Sequence, residues 1–223
     1  EFQDALKYDP GATSILTSLA DAYLRIGKLE RAMERLNQAL MLDPKDREAR
    51  EMVAHQFLMR NNLGRAEEHY SLLSEFYPEN HEYKFILAEV LRRKGDSEAA
   101  QDLLWQIYRD DSSQLQAVSR ASGIALERKD YESAFEGYRI LTEAEPNSAQ
   151  FWRKFSELAI YLQRFSLAIG GLERLIDLTN DDPSVLEQLG RLYFDSSDFN
   201  KADSVFFRLF EDGHQTSTVL YFR

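Results

Sequence analysis

The chain has 223 residues, 43% hydrophobic and 29% charged, with 5 prolines, 10 glycines and no cysteine. This composition is globular and, rich in Leu, Ala, Glu and Arg, favours helix, while the lack of Cys excludes a disulfide framework and a thiolate metal site. The net charge of −11 is spread evenly, 15 basic against 21 acidic residues in 1–112 and 12 against 17 in 113–223, so the clustered Lys and Arg that displace counterions from phosphates are missing and a nucleic-acid partner is disfavoured.

No apolar run approaches the ~18 residues needed to span a bilayer, and no signal peptide opens the sequence. Prolines set a beat. Pro10, Pro44 and Pro78 are 34 residues apart, Pro146 lies two periods further on, and Ser112 fills the slot between. Apolar residues at helical spacing, broken by glycine, proline and capping residues, predict helices near 14–26, 29–42, 48–60, 63–76, 82–94, 97–109, 116–128, 131–144, 150–162, 165–178, 184–196 and 199–212. Gly27 and Gly95 suit the left-handed geometry that ends a helix. Asp96, Asp130 and Asp198 occupy one slot and can cap the helix that follows. No segment alternates with period two, so strands are not expected.

With repeats at 13–46, 47–80, 81–114, 115–148, 149–182 and 183–216, four columns align without a gap. The twentieth position is Ala32, Ala66, Ala100, Ala134, Ala168 and Ala202. The eighth is Ala20, Ala54, Ala88, Ser122, Ser156 and Gly190, always small. The twenty-fourth is Leu36, Tyr70, Leu104, Tyr138, Leu172 and Phe206, always large, and the twenty-seventh is apolar throughout. Two helices approach closely only where one presents a small side chain. The eighth and twentieth positions therefore predict a close crossing within each repeat, with the large residues filling the space beyond. One pair cannot bury its whole apolar surface, so each stacks on the next. Residues 1–12 read as the end of a truncated repeat, with Phe2, Ala5 and Pro10 at its positions twenty-four, twenty-seven and thirty-two, and 217–223 as the start of a further one. The expectation is an excerpt of a longer array.

These columns resemble the tetratricopeptide repeat. Its large–x–x–Leu–small–x–x–Tyr first helix is matched by Leu16, Leu19, Ala20 and Tyr23, and again by Leu186, Leu189, Gly190 and Tyr193. Trp152 stands at its first-helix tryptophan, and Ala32, Leu36, Ala39 and Pro44 match its second helix. The resemblance implies an all-α fold, a right-handed α-α superhelix of 34-residue helix-turn-helix repeats. Repeat 4 departs most, with Ala121, Ser122 and Ala125 in place of larger residues.

The resemblance further implies a concave groove lined by positions two, five, nine, twelve and thirteen of the first helices. Its charged entries are Asp21, Arg25, Glu48, Glu51, His55, Glu82, Glu89, Arg92, Arg93, Glu127, Arg153, Glu157, Glu187, Arg191 and Asp195. Apolar entries are Leu24, Leu58, Met59, Phe85, Leu126, Ile160, Tyr161 and Phe194. Acidic residues outnumber basic ones, so the groove is expected to hold a protein partner with a basic or mixed apolar–basic surface. The clamp with which some relatives grip a chaperone's C-terminal carboxylate needs asparagine at position nine; here that position holds Asp21, His55, Glu89, Gly123, Glu157 and Arg191. Ser119, Gly123 and Ala125 predict a dent in repeat 4. Gly137 and Gly171, both at position twenty-three, read as close approach of a partner, a flexible joint, or tolerated surface glycine.

Catalytic readings find no footing. His55, His69, His81 and His214 are scattered among the repeats. Glu51 and His55 share a helical face but have no third ligand, so no metal and no cofactor is expected. Asp110–Asp111 and Asp181–Asp182 fall at inter-repeat turns, and neither a phosphate-cradling glycine loop nor a nucleophile elbow occurs. The expected function is a non-catalytic protein-interaction scaffold. A second reading is a periplasmic scaffold of bacterial exopolysaccharide export, similar to those of the Pel system with its outer-membrane porin, guiding a cationic polysaccharide or recruiting its modifying enzyme. It places the chain in the bacterial periplasm, with the cytoplasm as the alternative. A third is a regulatory arm attached to an enzyme.

Overall fold

A computed structural model describes residues 12–214 and 216–222; Phe2, Ala5 and Pro10 of the expected N-terminal half-repeat lie outside them. The described residues form thirteen helices and no strand. The first helices of the six repeats are α1 (Thr13–Arg25), α3 (Arg47–Met59), α5 (His81–Lys94), α7 (Leu115–Glu127), α9 (Ala149–Tyr161) and α11 (Pro183–Asp195). The second helices are α2 (Leu29–Leu42), α4 (Leu63–Phe76), α6 (Ser97–Asp110), α8 (Tyr131–Ala144), α10 (Phe165–Thr179) and α12 (Phe199–Glu211). A short α13 (Ser217–Phe222) follows. First helices start one residue earlier than the sequence suggests. Asp46, Asn80 and Asp182 explain three of these starts, since their side chains accept from the backbone N–H of Ala49, Glu82 and Ser184 and so start the helix at the next residue.

The turn inside every repeat is the same object. Position fifteen is left-handed in all six: Gly27, Asn61, Gly95, Lys129, Gln163 and Ser197, with φ between 57° and 93°. The N–H one residue on donates to the carbonyl five residues back, as Lys28 does to Tyr23 at 2.8 Å and Asp96 to Leu91 at 3.0 Å. The left-handed residue's own N–H donates three residues back, as Gly27 does to Leu24 at 3.0 Å. This paired closure satisfies the last carbonyls of the first helix. The residue that completes it is also the N-cap of the second helix. Asn62, Asp96, Asp130 and Asp198 do both jobs, accepting from the N–H of Arg65, Ala99, Ser133 and Lys201.

Between repeats, Asp43, Tyr77 and Glu145 take φ of −133°, −130° and −125° ahead of Pro44, Pro78 and Pro146, because proline disfavours a helical residue before it. In repeat 5 Asn180 stands in the proline slot. There α10 runs on to Thr179, and Asn180 and Asp181 both turn left-handed, with φ of 50° and 63°.

The chain divides into two compact units, with the boundary between Ile107 and Tyr108. In the first, each hairpin packs on the next. One core joins Leu16, Leu19, Ala20 and Tyr23 of α1 to Ala32, Leu36 and Ala39 of α2 and to Ala49 and Val53 of α3. A second joins Ala54, Ala66, Tyr70 and Leu73 to Tyr83, Leu87 and Val90 of α5, with Leu103 of α6 against it. In the second unit α7 to α13 pack each on its neighbour in sequence. Burying each large aliphatic side chain contributes about 1.5–3 kcal/mol, and the alanine columns let the helices come close enough to do so. All six alanines at position twenty and all six small residues at position eight are buried.

Two glycines show how tight the crossing is. A Cβ on Gly190 would stand 2.8 Å from the Phe206 ring. A Cβ on Gly171 would stand 2.4 Å from Ser156 Oγ and 3.0 Å from Phe155. Gly171 and Gly137 are buried, which corrects the expectation of a surface glycine. Where position eight carries a serine hydroxyl, Gly171 makes room for it.

Candidate functional site

The first helices of each unit stand side by side, joined by polar side chains that reach from one repeat to the next. In the first unit the Thr17 hydroxyl of α1 lies 3.3 Å from the Glu48 carboxylate of α3. Arg47 of α3 donates through Nε to Glu51 at 2.9 Å and to the Tyr83 hydroxyl of α5 at 2.6 Å, and Tyr83 in turn donates to Glu51. The Arg47 guanidinium also sits 5.5 Å from the ring centres of both Tyr77 and Tyr83. Burial and the Glu51 carboxylate push the Tyr83 phenol up to about 12. Arg47 is raised by its hydrogen bond to Glu51. In the second unit Arg153 of α9 pairs at 3.5 Å with Asp182, the N-cap of the next first helix α11, and Glu187 of α11 accepts at 3.0 Å from Thr216, the residue just ahead of α13. Burial opposes ionisation of Glu187, but hydrogen bonds from Thr218, Thr216 and Arg191 hold its carboxyl below the usual range.

Position five is thus a link from one first helix to the next, or to the cap that starts it, rather than part of an open lining. Thr17, Glu51, Arg153 and Glu187 all serve it. Phe85, expected to face the groove, is 5% exposed and belongs to the core. The sequence could not separate these roles, because an inward and an outward position five differ only by a small rotation of the helix.

Positions two, nine and thirteen do face outward. Glu48, Glu82, His55, Glu89, Met59 and Arg93 are exposed on the first unit's wall, and Glu157, Arg191 and Tyr161 on the second's. Asp21 is half-buried, and Arg25 and Glu127 are exposed. Apolar side chains lie between them: Leu24 and Leu58 half-buried in the first unit, and Leu126 and Ile160 half-buried with Phe194 40% exposed in the second. Tyr161 leans on Tyr131 with ring centres 4.2 Å apart, and Phe194 meets Phe199 edge-on at 5.3 Å.

The acidic excess is smaller than residue counting suggests, because most wall carboxylates have a cation on their own helix. Asp21 pairs with Arg25 at 2.7 Å, Glu89 with Arg92 at 3.0 Å and Glu187 with Arg191 at 2.7 Å. Arg47 and Lys154, at positions one and six, were outside the counted positions yet neutralise Glu51 and Glu157. Spacing of three and four residues was the signal that could have revealed them. Solvent screening leaves such surface pairs little weight in stability.

In repeat 4 only part of the expected dent exists. Ala125 is fully buried, whereas Ser119 and Gly123 are half-buried and a Cβ on Gly123 would meet nothing within 4 Å. Glu51 and His55 acquire no third metal ligand among the described residues. No helix among them is long and apolar enough to cross a membrane.

Family models described as tetratricopeptide repeat match residues 1–55 and 106–222. The BBSome complex member BBS4 of Bos taurus is 23% identical over 201 residues, 90% of this chain and 38% of that protein. The human protein O-mannosyl-transferase TMTC1 is 24% identical over 182 residues, covering 80% of this chain and 21% of its own length. The chain therefore spans well under half of either curated relative. Among solved structures, YrrB, described as a repeat protein with an unusual peptide-binding site, superposes with a TM-score of 0.58 at 18% identity, over 84% of this chain and 97% of that one. These relatives lend no support to an origin in exopolysaccharide export.

Proposed function

Because the chain belongs to the tetratricopeptide repeat family, we propose that it is a non-catalytic scaffold whose first-helix walls hold an extended segment of a partner protein. The observation that carries this reading is the division of labour along each first helix. Position five ties neighbouring repeats together, which leaves positions two, nine and thirteen outward at regular intervals, with apolar side chains between the charges. A row of fixed, evenly spaced side chains suits a chain that itself repeats at regular intervals. Exposed Glu48 and Glu82 and half-exposed apolar residues favour a segment with apolar anchors and some basic residues.

Glu82 and Glu89 are the residues to test, since both are exposed, whereas Glu51 is half-buried and tied to the next repeat by Tyr83. Peptides selected for binding to the whole chain from a random display library should be enriched in basic and apolar residues. Glu82→Lys with Glu89→Lys should weaken them about tenfold while leaving the melting temperature close to that of the parent. Selected peptides that are indifferent to this double variant would move the binding site off the wall.

A further inference from the structure

We propose that the edge formed by the intra-repeat turns of the first unit is a second docking surface, for an acidic segment of a partner protein. Positions twelve to sixteen of its three repeats carry Arg25, Lys28, Arg60, Arg92, Arg93 and Lys94 against Asp96 alone, in a chain of net charge −11; Arg25, Arg92 and Lys94 pair with Asp21, Glu89 and Glu67 from outside those positions, so the cations the edge offers are led by Lys28 and Arg60. The turns at the other end of the same helices carry Asp43, Asp46 and Glu79 against Lys45. Helix dipoles do not call for this asymmetry, because each end of a hairpin presents one helix N-terminus and one C-terminus.

Lys28, Arg31 and Arg60 converge on a hollow of about 430 Å³, with Gly27, Leu29 and Glu30 completing its walls. None of the three cations has a carboxylate within ion-pair distance among the described residues, although the Arg31 guanidinium stands 6.0 Å from the Tyr23 ring centre. Arg93 reaches the neighbouring turn and donates to Asn61, beside Arg60, at 2.6 Å. Exposed aliphatic side chains flank the cations, Ile26 at 62% and Met59 at 70%. Cations without counterions next to exposed aliphatic carbon match a peptide in which acidic residues alternate with leucine-like ones. Single-stranded nucleic acid would want aromatic stacking platforms, and the exposed large hydrophobic side chains at this edge are aliphatic. This surface lies at the turns and borders the wall at position thirteen, where Arg25, Met59 and Arg93 stand, away from the wall's positions two and nine.

The test is fluorescence anisotropy of a labelled synthetic peptide of repeating Glu-Glu-Leu with the whole chain. Binding should weaken as salt is raised, and Lys28→Glu with Arg60→Glu should lower affinity about tenfold. The milder Lys28→Gln with Arg60→Gln should give an intermediate loss, and the wall variant Glu82→Lys, at the far end of its helix from this edge, should leave affinity within about twofold of the parent. Both Lys28 and Arg60 are exposed, and unchanged circular dichroism would show that the variants fold. Three results would each overturn the proposal: no binding of the peptide, binding untouched by the charge-reversed pair, or preference for an oligothymidylate of equal charge. Because the wall variant is measured alongside, failure here leaves the reading of the wall separately testable.

Discussion

At the scale of single residues, the sharpest consequences come from groups that pay for their place. Ser156 is 1% exposed and its hydroxyl finds no hydrogen-bond partner, whereas the equivalent Ser122 donates to the Val118 carbonyl at 2.7 Å. Ser156→Ala should therefore stabilise the protein by about 1 kcal/mol in urea unfolding, since a buried unsatisfied hydroxyl costs about that much, while Ser122→Ala should not. His69 gives a pH signature. Burial, and after it the neighbouring Arg50 charge, holds its imidazole below the ordinary value, with Glu68 pulling the other way and Arg65 adding to the depression. The unfolded chain, with a pKa of about 6.5, then binds this proton before the folded one does. Stability should fall as the pH drops below about 6.5, and His69→Gln should flatten that part of the urea-midpoint profile between pH 7 and pH 5. Neither residue was legible in the sequence. Ser156 reads there as one more small member of its column, and His69 as one of four scattered histidines.

At the scale of elements, the intra-repeat turn is the clearest case of position overriding residue type. The sequence shows glycine at two of the six left-handed sites, Gly27 and Gly95, and the left-handed-tolerant Asn61 at a third; Lys129, Gln163 and Ser197 adopt the same geometry with side chains that give no hint of it except through the repeat. A non-glycine residue there is strained by about 1–2 kcal/mol. Lys129→Gly should recover part of this and raise the melting temperature of the chain in calorimetry. Helix ends were legible to within a residue, because caps and prolines act locally. The left-handed pair Asn180 and Asp181 beyond α10 was not, because the proline that marks other inter-repeat turns is missing there. The opposite test is Ala134→Leu. Ala134 is fully buried, and overpacking the crossing should cost about 1–3 kcal/mol.

At the scale of the whole molecule, the repeat register determines which side chains are buried between helices and which are left outward. The sequence carried the register because it recurs six times. The functional lining was only partly legible, because the sequence alone does not tell that position five binds repeats to each other, that Phe85 turns inward, or that Arg47 and Lys154 neutralise the wall. The most direct test of the register uses the absence of native cysteine, which lets single thiols be introduced without background. Ala54 is fully buried at position eight, and His55, the next residue, is exposed at position nine. In native buffer a thiol reagent should modify Ala54→Cys orders of magnitude more slowly than His55→Cys, which should react about as fast as the unfolded chain. Equal rates at the two neighbouring positions, in chains that are folded by circular dichroism, would contradict the helix pairing on which the wall and its turn edge both depend.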